Sequence, residues 1–61
     1  MYIIQVKNED FPKWMDIRSE ELPNGVTPFD LLTGDKDFAI AVRRFIAARN
    51  KNNKYRIKNI S

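Results

Sequence analysis

Cysteine and histidine are both absent from this chain of 61 residues. Without cysteine there is no disulfide framework and no thiolate to bind a metal ion, and a reducing compartment such as the cytoplasm is expected. Without histidine the chain lacks the commonest general base and metal ligand. The only two serines, Ser19 and Ser61, have no imidazole to activate them as nucleophiles. These absences predict a protein that is not an enzyme.

Glycine and long apolar runs are also scarce. The two glycines, Gly25 and Gly34, are too few for a loop that cradles phosphate. Glu20 and Glu21 are adjacent, so their carboxylates diverge, and no spacing of acidic residues resembles a calcium loop. No apolar run approaches the roughly 20 residues of a membrane span. We therefore expect no catalytic residue, no cofactor, no metal site and no contact with a membrane.

The charges are distributed unevenly along the chain. Positions 1–34 carry three basic and six acidic residues, whereas positions 35–61 carry eight basic and two acidic ones, and the net charge is +3. A basic half of this kind attracts nucleic acid, an anionic membrane surface or an acidic protein. The alternative is that these charges only solvate the outer faces of a helix and a strand.

The clearest element in the sequence is a helix over 35–50. Asp35 is placed to cap its first turn. Side chains at three- and four-residue steps predict its buried face, which consists of Phe38, Ala41, Val42, Phe45, Ala48 and Arg49, with Ala39 and Ile46 beside them. An apolar stripe of this length needs a sheet to pack on.

Alternating apolar residues predict three strands, at positions 2–7, 14–18 and 55–58. Thr27 and Pro28 have the character of a helix start, so a short helical turn is expected at 28–33, with Phe29 and Leu32 closing one end of the core. The predicted fold is a single α+β domain over residues 1–61. It is a two-layer sandwich in which a three-stranded antiparallel sheet of order 2-1-3 is covered on one face by the long helix. The predicted core combines Ile4, Val6, Met15, Ile17, Tyr55 and Ile57 with Phe38, Val42, Phe45 and Ile46.

The uncovered face of this sheet is one candidate functional surface. Alternation places an indole there among several cations, on a face made of Gln5, Lys7, Trp14, Arg18, Arg56 and Lys58. Such a face is typical of a stacking platform with phosphate contacts, so Trp14, Arg18, Arg56 and Lys58 are candidate residues for binding nucleic acid. Alternatively, Trp14 packs over the aliphatic stems of its neighbours or folds over the sheet edge against Phe11.

The outward side of the long helix is a second candidate surface. Ile40, Arg43, Arg44 and Ala47 form an apolar spot framed by two arginines, a composition typical of contacts between proteins. An acidic groove, or a second copy of the chain offering its own acidic half, would complement this spot, so both a monomer and a homodimer remain open. A single exposed isoleucine is also ordinary on a protein surface.

Four features occur together along the chain. They are the opening MYIIQVK strand, a strand with Trp14, Asp16 and Ile17, one amphipathic helix, and a closing Tyr-Arg-Ile strand at 55–57. This layout resembles the small ββαβ proteins of bacteriophages and prophages, and some anti-defence proteins, anti-CRISPR proteins among them, have a similar plan. The resemblance implies an accessory protein of the bacterial cytoplasm that binds and modulates or inhibits a host protein. The turn-rich segment 22–34 is an addition to that plan, so no functional residue is transferred.

We therefore expect a non-enzymatic binding module for a host protein. Non-specific binding of nucleic acid through the basic and aromatic sheet face is the alternative.

Overall fold

A computed structural model describes residues 1–60 of the chain. Its strands are β1 (Tyr2–Lys7), β2 (Met15–Asp16) and β3 (Lys54–Asn59), and its α-helices are α1 (Pro28–Thr33) and α2 (Lys36–Arg49). A 3-10 turn at Ser19–Glu21 follows β2. The predicted second strand is therefore shortened to two residues, whereas the third is longer than predicted by one residue at each end.

The three strands form one antiparallel sheet of order β2-β1-β3, which confirms the predicted topology. In the central strand β1, Gln5 lies opposite Asp16 of β2 and opposite Arg56 of β3. α1 packs over β1, and α2 packs over β1 and β3. Both helices contribute to one buried cluster with Ile4, so they cover the same face of the sheet. The α+β fold class is therefore confirmed.

Local signals explain where the helices begin. Thr27 Oγ1 accepts a hydrogen bond from the backbone N–H of Asp30, and the Asp30 carboxylate accepts one from the backbone N–H of Thr27. This reciprocal capping box, with Pro28 at the first helical position, starts α1. Asp35 Oδ1 accepts a hydrogen bond of 2.8 Å from the backbone N–H of Phe38 and so caps α2. Both predicted helix starts are confirmed.

The buried face of α2 is only partly the one that the sequence predicts, because Val42 and Ile46 are buried as expected but the two phenylalanines are not. Its buried residues are Ala39, Val42 and Ile46. Phe38 and Phe45, which were expected in the core, are 37% and 44% exposed. Both sets of residues repeat at three- and four-residue steps, so the periodicity alone fits either face. The prediction that the two phenylalanines form the core is therefore wrong.

Side chains from other segments explain which face is buried. Leu22 and Leu31 are buried in the same cluster as Ile4, so aliphatic groups already fill one end of the core. Ala39 is fully buried. So small a residue at the contact brings the backbone of α2 close to the sheet, and close packing then leaves no space for an aromatic ring.

Two further residues of the predicted core are exposed. Phe29 of α1 lies at the surface, and Leu31 of the same helix is buried instead. Met15 lies on the short edge strand β2, beyond the two strands that α2 covers, and about half of it is exposed. Of the other predicted strand residues, Ile4 is fully buried and Ile17, Tyr55 and Ile57 pack against the cluster, whereas Val6 is half-buried.

Candidate functional site

The strand pairing sorts the sheet residues into two faces. Ile4 lies opposite Ile57 on the core side, where both helices pack. Because side chains alternate along a strand, the neighbouring residues of β1 and β3 lie on the other side, which neither helix covers. Pairing there gathers four cations, with Lys7 opposite Lys54, Arg56 opposite Gln5 and Lys58 opposite Ile3. We define the basic sheet face as Lys7, Lys54, Arg56 and Lys58.

Trp14 contacts two residues of the basic sheet face. The centroid of its ring lies 4.7 Å from Lys7 Nζ and 4.5 Å from Arg56 Cζ. Contacts of this kind are worth roughly 0.5–1 kcal/mol each at partly exposed sites. Trp14 is half-buried, whereas Phe11 is largely exposed. The indole therefore packs among the side chains of its strand neighbours, which is the first of the two structural alternatives for this residue.

Gln5 lies beneath this cluster and is the one buried polar side chain within residues 1–60. Its Nε2 donates a hydrogen bond of 3.0 Å to Asp16 Oδ1, and its Oε1 accepts one of 2.8 Å from Arg56 Nε. One amide therefore connects all three strands. Arginine has five N–H donors, and the bond to Gln5 uses only the one on Nε. The two terminal amino groups of Arg56, which bind phosphate bidentately, are left for an anion.

The charge of this face is strongly positive. Four cations face it, and Asp16 is the only acidic residue within the three strands. Lys7 and Lys54 are directly opposite each other on neighbouring strands. Like charges in that position destabilise a sheet. A bound anion would relieve this repulsion, so the arrangement favours a negatively charged partner.

The structure brings together some of the predicted nucleic-acid-binding residues and separates one. Trp14 and Arg56 are in contact, and Lys58 lies two residues further along the same face of β3. Arg18 instead follows β2, and its guanidinium is 3.6 Å from the Glu20 carboxylate at an exposed position. Lys54 belongs to the basic run near the end of the sequence, but the sequence does not place it on this face, because the predicted third strand begins at Tyr55. Extending the alternation of β3 by one residue towards the N-terminus would have placed it there.

The predicted protein-binding residues of α2 do not form one outward patch. Arg44 is exposed, but Ile40, Arg43 and Ala47 are half-buried. The direction of the helix explains this difference. Because the buried face is centred on Ala39, Val42 and Ile46, positions 40, 43 and 47 lie along one flank of the helix beside the core and do not point directly away from it.

Other kinds of site receive no support within residues 1–60. No group of three or more acidic side chains gathers as metal ligands would. None of the helices there is both long and apolar enough to cross a membrane. Comparisons of the chain with protein-family models, with curated proteins and with solved structures found no match. The site geometry must therefore support any functional conclusion.

Proposed function

We propose that this chain is a non-enzymatic binding module that holds single-stranded nucleic acid on its basic sheet face without reading the base sequence. The observation that supports this function best is the pairing of β1 with β3, which gathers four cations on the side away from the helices, two of them in contact with the indole of Trp14. Phosphate contacts supply most of the affinity in non-specific binding of nucleic acid. The basic sheet face, which the sequence analysis gave as the alternative binding surface, is thus the surface that the geometry supports better.

Each group on this face has a role in the proposed complex. The cations of β3 lie two residues apart, about 6.6 Å along the strand, and can follow an extended phosphate backbone. Gln5 holds Arg56 through Nε, so the terminal amino groups meet a phosphate without first being ordered. Trp14 offers a ring on which a base stacks, a contact worth roughly 1–3 kcal/mol. The base displaces the Lys7 ammonium from the ring, and that ammonium then meets a phosphate.

The salt dependence of binding tests this proposal. We expect a fluorescently labelled oligothymidine to bind with a dissociation constant of about 10⁻⁴ to 10⁻⁶ M at physiological salt. Four phosphate contacts to a single strand predict a slope of about −2.8 for log K against log salt, which is about a 50-fold loss between 50 and 200 mM. Fluorescence anisotropy measures the affinity, and Trp14 emission reports stacking directly, since Trp14 is the only tryptophan. Absence of binding at low salt, or an affinity independent of salt, would reject the proposal.

Binding and modulation of a host protein through α2 is a second candidate function. Arg44 is exposed on that helix, and the two exposed phenylalanines of α2 add apolar surface. Arginine and aromatic residues are common at the centres of protein interfaces. If this function holds, a tagged chain captures a protein from bacterial lysate even after nuclease treatment. The double substitution Arg43→Glu and Arg44→Glu then abolishes the capture while the circular dichroism spectrum stays unchanged. Capture that survives the substitution argues against this candidate.

A further inference from the structure

α2 has a second apolar stripe, on the side that does not pack on the sheet. Four of its residues recur at three- and four-residue steps and are all exposed: Phe38, Ala41, Phe45 and Ala48. We name them the exposed helix stripe. The position of the Phe45 ring is supported by Arg49, whose Cζ lies 4.4 Å from the ring centroid. Phe38 lies against Gly34, where an added Cβ would approach its ring to 2.8 Å. Two aromatic rings are therefore held at the surface by local contacts.

A third exposed phenylalanine is presented by the loop between β1 and β2. Phe11 is 64% exposed, yet its backbone is fixed on both sides by one residue. The backbone N–H of Asn8 donates to the Phe11 carbonyl at 3.1 Å, and the Phe11 N–H donates to Asn8 Oδ1 at 2.9 Å. Asn8 Nδ2 in turn donates to Asn53 Oδ1 at 3.1 Å. Here an apolar ring is exposed on an ordered turn, and ordering in advance lowers the cost of binding. We name residues 8–13 the Phe11 loop.

The two apolar features lie in segments of opposite charge. Positions 9–21, which include most of the Phe11 loop, carry five acidic and two basic residues, whereas α2 carries four basic and one acidic residue. The acidic pair Glu9 and Asp10 directly precedes Phe11. Arg44 and Arg49 flank the exposed helix stripe on its two sides, as helical geometry requires. Each feature thus has the shape of an apolar centre with a charged rim, and the two rims attract each other.

We propose that two copies of the chain form a symmetric dimer, in which the Phe11 loop of each copy packs on the exposed helix stripe of the other. A two-fold axis makes the same contact twice, so both sets of exposed rings are covered at once. A second copy is the occupant that fits because it offers both the acidic aromatic loop and the basic aromatic stripe. α2 lies on the opposite side of the sheet from the basic sheet face, so a partner loop packed on α2 does not cover that face. The inference goes beyond nucleic-acid binding and does not depend on it.

Charge reversal and mixing test the dimer. Sedimentation velocity of the full chain is expected to show a concentration-dependent shift from monomer to dimer. The loop variant Glu9→Lys with Asp10→Lys, and the helix variant Arg44→Glu with Arg49→Glu, should each remain monomeric, because both contacts of the dimer then bring like charges together. An equimolar mixture of the two variants should dimerise again. One contact of the mixed dimer has the native charges and the other has them reversed, so both attract.

Two further variants complete this test. Phe11→Ser should weaken the dimer roughly 30-fold or more, as expected when a central aromatic anchor is lost. Lys58→Glu lies on the basic sheet face and should leave dimerisation unchanged. A native chain that stays monomeric at every concentration overturns the proposal and leaves the stripe to another protein. The proposal is also overturned if either charge-reversal variant dimerises alone. It is overturned as well if the mixture stays monomeric while both variants keep the native circular dichroism spectrum.

Discussion

The substitution Ile46→Ala is expected to lower the free energy of unfolding by about 2–5 kcal/mol, because it removes most of a fully enclosed aliphatic side chain and leaves a cavity. A domain of this length has a total stability of about 3–9 kcal/mol. The variant should therefore lose a large fraction of the total stability and unfold at a much lower urea concentration. Urea denaturation followed by circular dichroism measures the difference.

Phe45→Ala is the matched control for this prediction. The two positions are adjacent on α2, but Phe45 is 44% exposed, and its ring contacts the guanidinium of Arg49. We expect a loss of about 1 kcal/mol or less, close to the range of surface substitutions. A larger loss for Phe45→Ala than for Ile46→Ala would mean that α2 packs on the sheet with its aromatic face, as the periodicity first suggested.

The double substitution Lys54→Glu with Lys58→Glu is expected to lower the affinity for single-stranded nucleic acid by at least about 25-fold near 0.1 M salt. Each phosphate contact to a single strand contributes about 0.7 to the salt slope, so two lost contacts should also reduce the slope from about −2.8 to about −1.4. Anisotropy titrations at several salt concentrations measure both quantities. The introduced carboxylates repel the backbone, which makes 25-fold a lower bound.

Lys36→Glu with Arg43→Glu changes the net charge equally on the helix side and serves as the control. It should leave the affinity within about threefold, since these residues are far from the phosphate contacts and long-range interactions are screened by salt. An equal loss of affinity for both double variants would show that binding depends on the net charge of the protein and not on the basic sheet face.

The free energy of unfolding provides an independent test of the role of Lys54. Lys54→Glu alone should raise the free energy of unfolding by about 0.2–1 kcal/mol, because a like-charge pair with Lys7 becomes an attractive one. A gain in stability together with a loss of binding is what a functional cation should show.

Much of this fold is predictable because its signals are local. Thr27, Pro28 and Asp35 mark the helix starts by their own hydrogen-bonding groups and ring geometry, and the alternation of the strands yields the sheet order once the first two strands are taken as a hairpin. The same alternation places the cations of β1 and β3 on one face. These features depend on residues that are close together in the sequence, so they can be recognised from the sequence alone.

The rotation of α2 and the burial of Gln5 are not predictable in this way. Two apolar stripes of equal period compete for the sheet, and Leu22 and Leu31, from segments without clear periodicity, decide between them. The alternation of β1 places Gln5 on the face that neither helix covers, which predicts that it is exposed. In the structure it is buried, and partners on the two neighbouring strands meet its amide. Such outcomes depend on contacts between distant parts of the chain.

The amide of Gln5 also bears on how accurately the chain folds. In the native pairing its donor and acceptor are both satisfied, by Asp16 and by Arg56. If β2 or β3 slipped by two residues, the apolar pattern of the sheet would be largely preserved, but the buried amide would lose one of these partners. An unsatisfied buried polar group costs about 1–3 kcal/mol, a large fraction of the stability of so small a domain. A single glutamine thus penalises misaligned sheets that hydrophobic burial alone would tolerate.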